Sequence, residues 1–255
     1  MIEKRCAIPR LKHYWAKNMG ILNKISKFFF PDRCAFCGDL SSGALVCDEC
    51  IDKVEECLIV GETCLKCGNV KQKCDCNRIN YLFSGTVGAF YNIGIAKQGV
   101  YGIKMANRPF AAKYFGKKMA EDFKERFKIL PDIVCSVPCG KKTLRERGYN
   151  HADLLGSAVA NNFSVKYNGK ILKKIKNNKP QHTLAASERS RNVKGVYKAT
   201  MNLEGKTVLL VDDIKTTGST LNECAKQLRL NGAKEVYCAV ALISNMSCKD
   251  RKNKI

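Results

Sequence analysis

The chain has 255 residues, of which 45% are hydrophobic, so it can bury a core in one large domain or two modest ones. Its formal net charge of +22 predicts a polyanionic partner, such as a nucleic acid, a phosphorylated ligand or an acidic membrane surface. The sequence has no apolar run of about 18 residues, the length that spans a bilayer, and no signal-peptide pattern, so we expect a cytoplasmic protein.

Residues 1–33 predict a basic N-terminal extension. They carry eight Lys or Arg residues against Glu3 and Asp32. After Met19, apolar residues recur at helical spacing and predict an amphipathic helix, formed by Ile21, Leu22, Ile25, Phe28 and Phe29. We expect this helix to pack on the module that follows it in the chain. Alternatively, it would lie on a membrane surface or on a partner protein. Residues 1–18 are expected to be disordered or an upstream extension.

Paired cysteines dominate the segment that follows. Eight of the fifteen cysteines form three C-x-x-C pairs and one C-x-C pair: Cys34, Cys37, Cys47, Cys50, Cys64, Cys67, Cys74 and Cys76. Gly38 and Gly68 permit the positive-φ turn of a metal knuckle. Such pairs, in a chain that also carries a nucleotide-type motif, favour metal over disulfide bonds.

These eight thiolates are enough for two tetrahedral zinc sites with four cysteine ligands each, so we predict a double zinc ribbon over residues 34–80. Zinc also explains how a segment with few large apolar residues can fold. Sequential pairing would group the first four cysteines and the last four, and an interleaved arrangement is the alternative. An iron–sulfur cluster is the alternative ligand. Cys57 falls outside the pairs and is expected to bind no metal.

An α/β domain is predicted over residues 81–245, with a basic tail at 246–255. Buried strands are expected at 86–91, 132–138, 208–211 and 235–243, and helices at 95–104, 110–127 and 150–163. Apolar strands that alternate with amphipathic helices predict a parallel sheet.

A loop of glycine and basic residues follows the strand predicted at 132–138. At the carboxyl end of a strand, such a loop is where an α/β sheet binds an anion. We therefore predict a pyrophosphate-side loop that consists of Cys139, Gly140, Lys141 and Lys142. A solvated basic turn is the alternative.

Positive charge is concentrated in residues 138–200. This quarter of the chain has fourteen Lys or Arg residues against three acidic ones, a net charge of +11. Because a solvated surface usually mixes both signs, the imbalance predicts contact with a polyanion such as single-stranded DNA. The candidate contacts are Lys141, Lys142, Arg145, Arg147, Arg189 and Arg191, with Tyr149 or Tyr197 as stacking partners.

The most specific pattern lies at residues 206–221. The apolar run Val208–Val211 predicts a strand buried on both faces, and Asp212 and Asp213 follow where we expect it to end. The turn Thr216–Thr220 then leads into a helix whose apolar residues are Leu221, Cys224, Ala225 and Leu228. Main-chain N–H groups and hydroxyls in such a turn can bind a phosphate, and paired carboxylates can accept hydrogen bonds from two ribose hydroxyls. An ordinary βα unit is the alternative.

The order of apolar run, acid pair and Thr216-Thr217-Gly218-Ser219-Thr220 resembles the binding motif for phosphoribosyl pyrophosphate (PRPP) of the type I phosphoribosyltransferases. Three other motifs precede it, namely Arg145-x-Arg147-Gly148-Tyr149-Asn150, Gln181-x-x-Leu184 and Arg189-x-x-Asn192-Val193-x-Gly195. With the cysteine pairs, this set resembles the ComF-type competence protein family, which includes GntX-like proteins, from about Phe28 to Ile243. His151 stands where that family usually has Gln, and Lys215 where it often has an apolar residue. We expect the Lys215 side chain to face solvent.

The resemblance implies a phosphoribosyltransferase-like domain fused to a zinc ribbon, with a role in the uptake of single-stranded DNA during natural transformation. Proteins of the DNA-uptake machinery are the implied partners. Asp212 and Asp213 are the implied catalytic residues, and Mg²⁺ would accompany PRPP. The implied PRPP contacts are Asp212, Asp213, Thr216, Thr217, Gly218, Ser219, Thr220, Cys139, Gly140 and Lys141.

Besides a PRPP-binding competence factor, two other functions are compatible with these residues. The first is an active phosphoribosyltransferase with a nucleobase or amine acceptor, in which Lys141 or Arg145 would stabilise the leaving pyrophosphate. The sequence contains no residues that identify an acceptor. The third alternative is a nucleic-acid-binding module with a vestigial loop, and the intact Asp212, Asp213 and Gly218 argue against it.

Overall fold

The computed structural model of the protein describes residues 32–41, 43–74, 76–77, 79–105, 108–176 and 186–244. The amphipathic helix predicted after Met19, the positions Gln181 and Leu184, and the basic tail at 246–255 lie outside the described residues. None of the described helices combines the length and apolar character needed to cross a membrane.

The described helices are α1 Asp48–Glu55, α2 Gly94–Lys104, α3 Ala111–Phe127, α4 Lys141–Arg147, α5 His151–Phe163, α6 Ala186–Val193 and α7 Ser219–Leu230. The described strands are β1 Gly85–Tyr91, β2 Ile133–Ser136, β3 Lys166–Tyr167, β4 Leu172–Lys174, β5 Tyr197–Ala199, β6 Thr207–Lys215 and β7 Glu235–Ile243. The predictions of strands at 86–91, 132–138 and 235–243, and of helices at 95–104, 110–127 and 150–163, are therefore confirmed to within a few residues.

The main sheet has five strands in the order β1-β7-β6-β2-β3, and every neighbouring pair is parallel. A separate antiparallel pair joins β4 to β5. Because the carboxyl ends of parallel strands meet at one edge, the segments that follow β2 and β6 lie on the same side of the sheet. The sheet thus confirms the predicted α/β class.

The apolar run of β6 packs into two cores on opposite faces of the sheet. Leu209 and Val211 belong to one core, with the helices α2, α3 and α5, while Val208 and Leu210 belong to the other, with α7. This alternation follows from the two-residue period of a strand. The prediction that this strand is buried on both faces is confirmed.

The cysteine-rich segment packs directly on the α/β domain. The Phe36 ring contacts Phe90 of β1, with centroids 6.0 Å apart, and Phe115 of α3 at 5.3 Å. An isolated bridge pairs Leu58 with Phe90. All three rings are fully buried, so the first cysteine pair is part of the larger core.

Three details of the local structure differ from the predictions. The strand β6 does not end at the acid pair but continues to Lys215, because β7 pairs with it as far as Ile243. The segment predicted as a basic loop becomes the helix α4 from Lys141 onward, preceded by Cys139 and Gly140. The Lys215 side chain does not face solvent, since only 1% of this residue is exposed.

Candidate functional site

The acid pair lies on β6 beyond the end of its neighbour β2. Val211 pairs with Ser136, the last residue of β2, so Asp212 and Asp213 extend past that strand. Asp213 is buried and Asp212 is half-buried. The Asp213 amide donates to Asp212 Oδ1 at 2.9 Å, and the Ile214 amide donates to Asp213 Oδ1 at 2.6 Å. Local main-chain contacts therefore hold both carboxylates at the edge of the sheet.

Side chains from two helices meet the other oxygen of Asp213. The ammonium of Lys104, the last residue of α2, forms an ion pair with Asp213 Oδ2. His151 Nε2, on the first residue of α5, lies 3.0 Å from the same oxygen. Burial opposes ionisation of Asp213, but Lys104 and His151 outweigh it and hold the pKa of this carboxyl well below its ordinary value. Asp213 is therefore an ionised hydrogen-bond acceptor.

Asp212 has the opposite electrostatic environment. Burial and the adjacent charge of Asp213 raise the pKa of Asp212 well above the ordinary range of a carboxyl group. Two adjacent carboxylates repel each other, and hydroxyl groups that donate to both would reduce that repulsion. The pair is thus suited to a ligand with neighbouring hydroxyls.

His151 also contacts Arg147, one of the residues predicted to bind nucleic acid. Arg147 Nη1 lies 3.4 Å from His151 Nδ1. A guanidinium can only donate, so the His151 tautomer that accepts from Arg147 at Nδ1 has its ring proton on Nε2, the nitrogen that faces Asp213 Oδ2. The sequence distinguished His151 only as a departure from a family pattern, and the structure brings it to the acid pair.

Hydrogen bonds fix the positions of Lys104 and His151. Asn150 caps α5, because its Oδ1 accepts from the Ala152 amide at 3.3 Å and its Nδ2 donates to the Val137 carbonyl at 3.1 Å. The Tyr149 hydroxyl donates to the carbonyl of Ile103, the residue before Lys104. Lys104 is missing from the predicted site, and its only local signal is its position in the last turn of a helix, where a cation is favoured.

The predicted phosphate turn is shorter than expected. Residues 216–218 join β6 to α7, and Ser219 and Thr220 belong to the first turn of that helix. Gly218 adopts the left-handed conformation at φ 75°, and a Cβ atom there would lie 2.9 Å from Tyr81 Cε1. The Thr217 and Ser219 hydroxyl oxygens are 2.8 Å apart. Half-buried hydroxyls thus surround the N-terminus of a twelve-residue helix, an arrangement that suits an anion.

The segment from Cys139 to Lys142 follows β2 at the same edge of the sheet. The Val137 amide donates to the Val211 carbonyl at 2.9 Å, which aligns the end of β2 with β6. Cys139 and Gly140 are half-buried, while Lys141 and Lys142 are exposed. No hydrogen bond or ion pair between described residues joins this segment to Asp212 or Asp213.

Several of the basic candidates are exposed. Lys141, Lys142 and Arg145 are exposed on α4, and Arg191 is exposed on α6. The backbone of Arg189 lies in α6, but its side chain is outside the described part of the structure. The stacking prediction for Tyr197 is wrong, because this residue is buried in the core. The hydroxyl of Tyr149 is already engaged with Ile103.

The eight paired cysteines form two separate groups. Within each group, the sulfur atoms lie within 4.8 Å of one another. The first group comprises Cys34, Cys37, Cys47 and Cys50, and the second comprises Cys64, Cys67, Cys74 and Cys76. The grouping is sequential. All eight thiols are free of disulfide bonds. The Cys57 thiol instead contacts the carbonyls of Lys53 and Ile93 at 3.4 and 3.5 Å.

Sulfur–sulfur distances in both groups are compatible with a tetrahedral zinc site. Zn–S bonds of about 2.3 Å place the sulfurs of a tetrahedron about 3.8 Å apart. The observed separations are 3.7 Å for Cys37–Cys47, Cys64–Cys76 and Cys67–Cys74. In the first knuckle the Phe36 amide donates to Cys34 Sγ at 3.5 Å and the Asp39 amide to Cys37 Sγ at 3.4 Å. Main-chain donors of this kind stabilise thiolates, so both groups can bind zinc.

Comparison with known proteins finds relatives of the C-terminal part of the chain. Residues 152–255 match the family model described as a phosphoribosyl transferase domain. The chain is 34% identical over 111 residues to the DNA utilization protein YhgH of Salmonella typhi, with 43% of this chain and 49% of that protein covered. It is 36% identical over 110 residues to competence protein F of Haemophilus influenzae, with coverage of 42% and 48%. The chain thus spans about half the length of the curated relatives it matches.

Among solved structures, a purine phosphoribosyltransferase from Pyrococcus horikoshii is 21% identical, with a TM-score of 0.32 and coverage of 54% of this chain and 74% of that one. The names of the relatives, the phosphoribosyl transferase domain and the two four-cysteine groups all agree with the sequence motifs. Over about two fifths of its length, the chain is therefore similar to proteins named for DNA utilization and competence, and residues 152–255 match a phosphoribosyl transferase domain.

Proposed function

We propose that the chain binds PRPP together with Mg²⁺ and acts as a cytoplasmic competence factor in the uptake of single-stranded DNA. The observation that carries the proposal is the meeting of the acid pair, Asp212 and Asp213, with the hydroxyl-rich N-terminus of α7 at one edge of a parallel sheet. A ribose 5-phosphate group offers the complementary features, namely two adjacent hydroxyls and a phosphate.

The ribose end of PRPP would contact the carboxylates. Asp213 is ionised because Lys104 and His151 face it, and it can accept a hydrogen bond from one hydroxyl while Asp212 accepts from the other. The ordered contacts of Lys104 and His151 hold Asp213 in place before the ligand arrives. Such preorganisation reduces the entropy cost of binding.

The phosphate end would lie at the start of α7. Main-chain N–H groups of the first helical turn have no partner within the helix, and the helix dipole favours negative charge there. The hydroxyls of Thr216, Thr217, Ser219 and Thr220 add donors around the same point. Gly218 permits the left-handed turn that brings these groups together.

Mg²⁺ would bind with PRPP and not in a cage made by the protein alone. This ion prefers oxygen ligands and retains several waters, so ligand phosphates with one or two carboxylates are its usual partners. Asp212 and Asp213 supply the carboxylate oxygens here, although Lys104 already provides a positive charge beside Asp213. When bound, Mg²⁺ would neutralise charge on the pyrophosphate.

The basic surface on α4 and α6 would contact the DNA. Lys141, Lys142, Arg145 and Arg191 are exposed, and an exposed basic surface follows the backbone of a single strand without reading its sequence. Proteins of the uptake machinery would be the partners that supply this strand. The domain division into a zinc ribbon at 34–80 and a phosphoribosyltransferase-like unit at 81–245 belongs to the same proposal.

Titration with Mg·PRPP tests the ligand directly. We expect binding to the wild-type chain and an affinity about 10- to 100-fold lower for Asp213→Asn, because the variant loses a charged hydrogen-bond acceptor. Asp132→Asn, a change of an exposed acid that accepts from the Thr207 amide far from the turn, is the matched control. Equal affinity of wild type and Asp213→Asn would rule out the acid pair as the ribose site.

An active phosphoribosyltransferase is the second candidate. The contact between Arg147 and His151 favours it, because a guanidinium close to the acid pair can stabilise a leaving pyrophosphate. Pyrophosphate release measured against a panel of nucleobases and amines distinguishes the candidates. Release with any acceptor indicates an enzyme, while PRPP binding without release indicates a binding protein.

A further inference from the structure

Lys174 is half-buried, unlike the other described lysines of residues 138–200. It is the last residue of β4 and pairs with Tyr197 of β5. Side chains of a strand alternate between two faces, so Lys174 shares a face with the buried Leu172, while the exposed Lys173 lies on the opposite face. The β4–β5 pair therefore holds one ammonium group against the body of the domain.

The ammonium of Lys174 reaches the segment that follows β2. A Cβ atom added at Gly140 would lie 3.9 Å from Lys174 Nζ and, apart from its own chain neighbours, would have no other described atom within 4 Å. Gly140 has φ −74° and ψ 154°, which any residue can adopt. Neither backbone strain nor crowding thus requires a glycine here. Its missing side chain leaves space between the main chain and an ammonium group.

No carboxylate offsets the charge of Lys174 in the described part of the chain. The ion pairs found there do not include it, and burial lowers the pKa of its ammonium group. Other half-buried cations have acidic partners, in the pairs Lys104–Asp213, Lys118–Asp122 and Arg229–Glu235. Burial of an unpaired cation is costly, so the position of Lys174 suits an anion that binds from outside.

The two lysines that follow Gly140 in the chain are less suited to hold an anion beside it. Lys141 and Lys142 are exposed, and Lys142 Nζ lies 3.9 Å from Glu146 Oε1 on the surface of α4. Solvent and salt screen exposed charges of this kind, so each contributes little to binding a small ligand. The half-buried cation at this segment comes instead from a separate pair of strands.

We propose that Lys174 binds a phosphate group of a diphosphate ligand in the space beside Gly140, and that the β4–β5 pair positions its ammonium group there. A glycine lets phosphate oxygens approach the main chain closely, and an ammonium group binds them as a point charge. The identification of this ligand as the pyrophosphate end of PRPP rests on the proposed function, while the anion site itself does not.

Titration with pyrophosphate and Mg²⁺ tests the site without reference to ribose. We expect Lys174→Met to bind about 10- to 100-fold more weakly than wild type, because it loses a hydrogen bond between charged groups. Lys173→Met makes the same change on the exposed face of the same strand and should bind as wild type does. No binding by wild type, or equal affinities of wild type and Lys174→Met, would refute the proposal.

Gly140→Ala fills the proposed anion space without strain in the main chain. We expect this variant to have the thermal stability of wild type and to bind pyrophosphate at least about 10-fold more weakly. It also provides the test if Lys174→Met fails to fold. Wild-type affinity in folded Gly140→Ala would exclude a phosphate from the space beside Gly140.

Titrations with Mg·PRPP and ribose 5-phosphate separate this inference from the proposed function. We expect Lys174→Met to lose affinity for PRPP and to bind ribose 5-phosphate as wild type does, because the latter lacks the diphosphate. If Asp213→Asn weakens PRPP binding and Lys174→Met does not, the proposed function stands and this inference is wrong. If pyrophosphate binding depends on Lys174 while Asp213→Asn binds PRPP like wild type, the anion site stands and the proposed ribose site is wrong.

A short single-stranded oligonucleotide tests the other source of phosphate groups. A half-buried ammonium suits a compact diphosphate better than a polymer, so we expect Lys174→Met to bind the oligonucleotide as tightly as wild type. If Lys174→Met weakens oligonucleotide binding and pyrophosphate displaces the oligonucleotide from wild type, the phosphate belongs to DNA. That result would overturn the diphosphate assignment.

Discussion

His151 Nε2 lies 3.0 Å from Asp213 Oδ2, so the first residue of α5 contacts an acid near the end of β6. The contact spans 62 positions of the sequence, and Lys104 joins the same oxygen from a third element, α2. Three elements of the α/β domain therefore converge on one carboxylate. The contributions of Lys104 and His151 can be tested separately by substitution.

Substitution of His151 tests its role as a donor to Asp213. We expect His151→Ala to bind Mg·PRPP about 3- to 10-fold more weakly, because loss of one hydrogen bond frees Asp213 to move. His151→Gln should retain most of the affinity, since its amide can also donate. Isothermal titration calorimetry gives the affinities, and an alanine variant as tight as wild type would exclude the contact as a positioning device.

Removal of the Lys104 charge should destabilise the protein. Lys104→Met leaves Asp213 buried beside Asp212 without its ion pair, and we expect a loss of about 3 kcal/mol in the free energy of unfolding. Lys117→Met breaks an exposed pair with Glu121 on α3, 3.7 Å long, and should cost less than about 0.5 kcal/mol. Urea unfolding at neutral pH measures both, and equal losses would show that the buried pair has no special role.

Gly218 should tolerate no side chain. Gly218→Ala combines a positive φ with a contact of 2.9 Å to Tyr81, and we expect a loss of about 2–4 kcal/mol in the free energy of unfolding. Gly205 has a similar φ of 70° but no atom within 4 Å of an added Cβ, so Gly205→Ala should lose only about 1 kcal/mol. The difference between the two variants in thermal unfolding isolates the packing of Gly218 against Tyr81.

Metal analysis tests the cysteine groups. We expect about two zinc ions per chain in the wild type. Cys37→Ser and Cys76→Ser should each bind about one, because each removes a ligand from a different group. Cys57→Ser is the control and should keep both, since its thiol contacts main-chain carbonyls and belongs to neither group. Iron in place of zinc, or much less than two ions per chain, would contradict the double-ribbon prediction.

The basic surface on α4 should bind single-stranded DNA in a salt-dependent manner. Lys142→Ala and Arg145→Ala should each weaken binding and reduce the slope of log affinity against log salt by about 0.7, the value for one lost phosphate contact on a single strand. Lys117→Ala, on the exposed face of α3, is the control. Fluorescence anisotropy over a salt series gives the slopes, and unchanged slopes would exclude α4 from the interface.

The sequence by itself determined the features that repeat locally. The apolar run of β6 is buried on both faces of the sheet because side chains of a strand alternate with a two-residue period. The residues at helical spacing in α7 are also buried, namely Leu221, Cys224, Ala225 and Leu228. The cysteine pairs are also local motifs that the sequence reveals, although the choice between sequential and interleaved groups came from the structure. In these cases the residues that interact are neighbours in sequence or on one face of an element.

Only the tertiary structure decided which distant side chains surround those features. Lys104 and Asp213 are far apart in the chain, and the position of Lys104 in the last turn of a helix does not indicate which acid it contacts. Lys215 looks like a solvent-facing residue at the end of a strand, yet it is buried beside Tyr81. The charge of a lysine favours solvent unless other elements supply compensation, and that compensation depends on how the chain packs as a whole.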